Sequence, residues 1–154
     1  MLPTPTKFTL VAGEGTGMSA LTAFDAALLN AGAGNLNLLK VSSILPPTTD
    51  YHEDLYIPPG SLVPIAYGTY TSANKGETIS AAVAVGLPEG NTFGVIMECS
   101  GTCTKEEITE HIKGMVKEAF EKREILLKEI KVAAVQHNVT CNYGSAFAGA
   151  ILWY

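Results

Sequence analysis

The chain reads as an α+β domain of stacked β-sheets with helices on the outside, and three observations carry that reading. Two segments have helical periodicity and about seven read as strands, in the order β-α-β-β-β-β-α-β-β. The closing segment, AFAGAILWY, is apolar on both faces, the pattern of a central strand covered from above and below. No linker, low-complexity stretch or repeat interrupts the 154 residues, so one core is expected.

The elements follow in order. Residues 7–12 (KFTLVA) predict a strand, and the glycine-rich stretch 13–17 (GEGTG) predicts a turn. Ser19 is a good N-cap for a helix running to about Ala31, and Gly32 suits a left-handed C-terminal cap. Residues 35–42 (NLNLLKVS) predict a second strand, and Pro46-Pro47 ends regular structure just beyond it. The polar, proline-rich residues 48–60 predict a surface loop, followed by strands near 61–72, 77–87 and 91–98. Thr104-Lys105-Glu106-Glu107 matches a capping box at the start of the longest helix. Ile108, Ile112, Met115, Val116, Ala119 and Phe120 give that helix one apolar stripe. Strands at about 129–140 and 144–153 complete the chain.

Charged residues make up only 16% of the chain, against a usual share of about 25%. Less surface than normal is built to face water, so part of the apolar excess is expected at subunit interfaces. The net charge of −5 and the absence of a Lys/Arg block exclude a nucleic-acid-binding stripe. In residues 1–42, Lys7 and Lys40 balance Glu14 and Asp25, so the whole excess lies in residues 43–154. That imbalance agrees with a small cationic substrate. No stretch is long and apolar enough to span a membrane, and the N-terminus lacks the pattern of a signal peptide. Cys99, Cys103 and Cys141 form no disulfide framework, so the expected compartment is a reducing cytoplasm.

Several motifs fail as binding sites. The glycine-rich stretch is not a dinucleotide fingerprint: the third glycine would fall on Met18, and the second strand ends without a ribose-binding acid. Cys99 and Cys103 have no second ligand pair, so no metal is expected and both read as buried or half-buried structural residues. His52, His111 and His137 are scattered, and His137 reads as pointing from a strand toward solvent or a partner.

Two carboxylates stand out. On a helical wheel Asp25 falls in the arc of Leu21, Phe24, Leu28 and Leu29. It is either a helix-edge residue reaching water or a buried acceptor for a guanidinium, whose planar fork matches a carboxylate. Glu98 ends the apolar strand TFGVIME on the face of Gly94 and Ile96. It is either the start of a polar turn or, if desolvated, an acid that keeps a proton to deliver.

The Ser42-Ser43 pair gains meaning from its context, GNLNLLKVSSILPP. Together with LTAFDAALLNAGAGNLNLLKVSSILPP (21–47), SLVPIAYG (61–68), GETISAAVAVGLP (76–88), GVIMECSG (94–101) and SAFAGAILWY (145–154), it resembles the pyruvoyl-dependent arginine decarboxylases along nearly the full chain.

The resemblance implies a four-layer αββα sandwich and trimers of cleaved protomers with sites at subunit interfaces. It implies self-cleavage between Ser42 and Ser43 into residues 1–42 (β chain) and 43–154 (α chain). The Ser43 hydroxyl attacks the Ser42 carbonyl, and elimination from the resulting ester leaves a residue that hydrolyses to a covalent pyruvoyl group, the only cofactor. A serine does this only at a bent, exposed amide with a donor for the oxyanion. Asn37 resembles the asparagine near the family's processing site and is the candidate donor, the plainer alternative being a sheet-edge or turn asparagine. Glu98 resembles the proton donor, and Asp25 the residue that binds the guanidinium of L-arginine on its way to agmatine. Two rival readings remain: the same chemistry on another amino acid, and an uncut, non-catalytic oligomeric binding protein.

Overall fold

The protein is described by a computed structural model covering residues 2–154. In chain order its elements are β1 (Lys7–Gly17), α1 (Ala20–Asn30), β2 (Asn37–Lys40), β3 (Ile44–Leu45) and β4 (Asp50–Tyr51). β5 (Leu62–Ser72), β6 (Thr78–Pro88), β7 (Gly94–Gly101), α2 (Lys105–Lys122), β8 (Leu127–Asn138) and β9 (Tyr143–Trp153) follow.

The strands form a five-stranded sheet, ordered β2-β5-β9-β1-β4, and a four-stranded sheet, ordered β3-β7-β6-β8. The inner faces meet through a buried layer that includes Phe8, Ile79, Val83, Ile96, Ala148 and Leu152. Helix α1 covers the outer face of the first sheet, seating Ala27 and Leu28 against Val63, Ile65 and Phe147. Helix α2 covers the second, seating Ile108, Ile112, Val116 and Phe120 against Ala82, Ala84 and Val95. The result is the four-layer αββα sandwich. β9 is the central strand of the larger sheet and is buried on both faces from Gly144 to Leu152, as its doubly apolar sequence predicts.

Both helix starts form as read. Ser19 and Thr22 close one capping box, Thr104 and Glu107 the other. Their first turns are thus satisfied by side chains rather than left as orphan N–H groups.

Four local expectations are corrected. The stretch 13–17 is not a turn, because β1 runs unbroken to Gly17 and pairs with β9 throughout. The glycines are there for close packing: a Cβ on Gly15 would lie 2.6 Å from the Ala26 Cβ, and one on Gly17 2.3 Å from the Ala23 nitrogen. Helix α1 therefore rests directly on the strand backbone. The 48–60 loop contains β4, which adds to β1 in parallel. β7 does not stop at Glu98, since Cys99, Ser100 and Gly101 still pair with Ala82, Ala81 and Ser80 of β6. Finally, His137 points inward, not to solvent. It is buried, and its Nδ1 pairs with the carboxylate of Glu14, which enters the same gap from β1.

Candidate active site

The expected strand at 35–42 is shorter, Asn37–Lys40, and the chain just beyond it joins the other sheet. β2 runs parallel to β5, and just past its end the Val41 N–H still donates to the Ile65 carbonyl at 3.0 Å. Two residues later the Ser43 carbonyl accepts from the Ile96 N–H at 2.7 Å, in the other sheet, and β3 pairs with β7. The Ser42–Ser43 peptide is therefore the step by which the chain leaves one sheet for the other. Ser42 is exposed and Ser43 half-buried. The Ser42 carbonyl accepts no hydrogen bond among the described residues. Tethered on both sides and free in the middle, this amide is open to attack.

Glu98 lies two residues along β7 from Ile96, about 6.6 Å at the usual strand rise. Its side chain is 28% exposed. Partial burial raises its carboxyl above the ordinary value, and the Lys40 ammonium opposes that rise. Lys40 closes β2, and its Nζ lies 3.9 Å from Glu98 Oε1 and 4.6 Å from the centroid of the Tyr67 ring. The Tyr67 ring is itself held by Phe24 and Phe147. Because β2 ends at Lys40 while β5 runs on to Ser72, these groups meet at an open rim of the sandwich. A hydrogen bond from Ser100 Oγ to the Thr69 carbonyl, 2.9 Å, ties the two sheets together beside them. On the other side of Ser42 lies an apolar hollow of about 290 Å³ walled by Val41, Ile44, Pro64, Leu152 and Tyr154.

The Ser43 carbonyl is thus bonded two residues from Glu98 on β7, whereas Asn37 opens β2 and Asp25 lies on the exposed side of α1. Asn37 opens β2, and its side-chain amide donates to the Gly60 carbonyl at 2.8 Å. Five residues of extended chain, about 16 Å, separate it from Ser42. There it braces the loop before β5. Asp25 sits on the solvent side of α1, which packs on β1, β9 and β5. The wheel arc was misleading: Ala23, Ala27 and Leu28 face the sheet, whereas Leu21 and Leu29 are 74% and 51% exposed. Glycines in β1 let the helix approach on its small residues, so its large ones turn outward. Asp25 has no hydrogen bond or ion pair among the described residues.

Lys40 and Tyr67 escaped the sequence reading. The signal for Lys40 was a lone cation in an apolar strand two residues before Ser42. Nothing in the sequence pointed to Tyr67.

A family profile described as pyruvoyl-dependent arginine decarboxylase (PvlArgDC) matches residues 7–154. The chain belongs to the pyruvoyl-dependent arginine decarboxylase family. It is 46% identical over 151 residues to the pyruvoyl-dependent arginine decarboxylase of Methanocaldococcus jannaschii, covering 97% of this chain and 91% of that protein. The enzyme of the same name from Methanococcus maripaludis is 45% identical over 151 residues, with 97% and 92% covered. That of Pyrococcus furiosus is 42% identical over 152 residues, with 97% and 96% covered. As a pyruvoyl-dependent arginine decarboxylase family member, the chain carries the Ser42–Ser43 crossover and the Glu98 rim inside the matched region.

Proposed function

We propose that the protein decarboxylates L-arginine to agmatine and carbon dioxide, using a pyruvoyl group that it makes from Ser43 by cutting its own chain after Ser42. The observation that carries this reading is the Ser42–Ser43 amide, exposed between two sheets, anchored at Val41 and Ser43, and two strand residues from Glu98.

In the cut, Ser43 Oγ adds to the Ser42 carbonyl carbon and the C–N bond breaks, leaving an ester and a free amine on residue 43. Elimination then releases residues 1–42 with a carboxylate at Ser42. Water replaces the nitrogen on residue 43, ammonia leaves, and a ketone remains. The anchors at Val41 and Ser43 favour the sequence by holding both new ends where they were formed.

The residues present fit such a group: a serine at position 43, a backbone clamp on its carbonyl, and a half-buried acid nearby. A pyruvoyl ketone supplies an electron sink for the pair released when the substrate carboxylate leaves. Glu98, whose carboxyl burial raises above the ordinary value, delivers a proton to the substrate carbon after that loss. The apolar hollow beside Ser42 favours departure of a charged carboxylate as neutral carbon dioxide. Asp25 receives the guanidinium, a pairing suited to two parallel charge-assisted hydrogen bonds. Asp25 lies on the exposed face of α1 and Glu98 between the sheets, which supports a site completed between copies. Exposed Met18, Leu21 and Leu29 around that face support a homo-oligomer, which we take to be a trimer of cleaved protomers in the cytoplasm.

The test is release of labelled carbon dioxide from carboxyl-labelled L-arginine, with agmatine counted in parallel. Equal amounts of both, absent in Ser43→Ala, are expected. Carbon dioxide from histidine or lysine but not arginine would assign the same chemistry to another substrate, and none from any amino acid would leave the non-catalytic reading.

A further inference from the structure

Lys40 poses a chemical contradiction. An acid that must keep a proton for delivery has a cation 3.9 Å from its oxygen, and a nearby cation favours the ionised form. The lysine is not a stray surface charge, because its ammonium also lies over the Tyr67 ring, which Phe24 and Phe147 hold in place. In the uncut chain the rim therefore holds a cation that works against the burial by which its proton donor keeps a proton.

Cleavage changes the charges at this rim. It creates an α-carboxylate at Ser42, two residues beyond Lys40 and on the same side of an extended chain. That spacing is about 6.6 Å, within reach of a lysine side chain. The new carboxylate is ionised well below neutral pH and more exposed than Glu98. It can take the ammonium at less desolvation than Glu98 requires.

We propose that Lys40 is a positioning residue that pairs with Glu98 in the uncut chain and passes to the new Ser42 carboxylate once the chain is cut. The same event that makes the reactive group then readies its proton donor. This inference rests on the reading of Ser42–Ser43 as the cut and of Glu98 as the donor.

The groups around Glu98 are few. β2 contributes Lys40, whose ammonium also lies over Tyr67 of β5, and β6 places Val83 opposite Glu98. β3 (Ile44–Leu45) has no titratable side chain. On β7 itself Cys99 is pushed up to about 11 by burial, then by Cys103 and Glu98, so it stays neutral. Lys40 is the one cation among them.

The experiment is carboxyl-carbon NMR titration of protein labelled in its glutamates, with the Glu98 signal assigned by its loss in Glu98→Gln. Four samples are compared: Ser43→Ala, which cannot be cut; Ser43→Ala with Lys40→Met; the cut parent; and cut Lys40→Met. In the uncut pair Lys40→Met should raise the proton affinity of Glu98 about tenfold. In the cut pair the same substitution should leave it unchanged, and the alkaline limb of the decarboxylation pH profile should also stay in place. An equal rise in both pairs overturns the handover, and no rise in either overturns the pairing. A parent that stays in one piece sinks the functional reading and this inference together. A parent that is cut and active but shows equal rises sinks the inference alone.

Discussion

The Ser43 carbonyl accepts a hydrogen bond from the Ile96 N–H at 2.7 Å, two residues from Glu98 on the same strand. This bond belongs to residue 43 and not to the peptide that would be broken, so it survives the cut. It holds the new N-terminal residue of the 43–154 chain in register with β7. The reacting group and its acid are thus carried by one sheet, and their spacing does not depend on the loop that precedes them.

Glu98→Gln separates the chemistry done once from the chemistry done at every turnover. The variant keeps shape and hydrogen-bonding capacity but has no transferable proton. It should still be cut between Ser42 and Ser43, while turnover of arginine falls by about 10²–10⁴. Steady-state rates beside denaturing gels check both halves. Decarboxylation at the parental rate would assign proton delivery to another group.

Glu98 also gives stability a defined pH dependence. Burial raises its carboxyl above the ordinary 4.5, so between that value and its folded-state value the native chain binds more protons than the unfolded one. Stability from this group is present below 4.5 and is lost as pH rises through the folded-state value. Glu98→Gln abolishes that loss. Thermal melts of the two proteins should diverge in favour of the variant as pH rises from 4.5, then run parallel. A gap that closes with rising pH contradicts the assignment of burial as the dominant cause.

Asp25→Asn should leave folding and cleavage intact, because the side chain has no partner within the protomer. Losing a charged hydrogen-bond pair to a guanidinium removes roughly 1.5–3 kcal/mol. KM for arginine should accordingly rise about tenfold or more with the cut fraction unchanged. An unaltered KM would leave Asp25 as a plain surface residue.

Gly15→Ala tests why β1 is rich in glycine. The added methyl would lie 2.6 Å from the Ala26 Cβ and 2.7 Å from the Ala26 carbonyl carbon, so α1 must lift. Overpacking of this kind costs about 1–3 kcal/mol, which urea unfolding would register. Parental stability would show that the helix shifts freely on the sheet.

The layers and the helix ends were legible in local chemistry, and the site was legible only in part. Capping boxes at Ser19 and Thr104, the apolar stripe of α2 and the two-faced apolarity of β9 are properties of neighbouring residues, so the sequence displays them directly. The glycines at 13–17 were misread because their reason is α1 lying on the strand, a long-range contact. For Asp25 the sequence left a water-facing helix edge and a buried acceptor both open, and the structure shows the first: with small residues pressed against the sheet, the large Leu21 and Leu29 point outward, against the usual sense of an apolar arc. Glu98 was found because a carboxylate in an apolar strand is locally conspicuous. Lys40 was missed because its importance lies in a partner 58 positions away.

The central claim is that the chain cuts itself between Ser42 and Ser43, and intact-protein mass under denaturing conditions tests it most directly. Purified protein should give two masses, those of residues 1–42 and of residues 43–154, the second bearing a ketone in place of the serine amine and blocked to Edman degradation. Ser43→Ala should give one. A single full-length mass for the parent, with an ordinary N-terminus, would contradict the account.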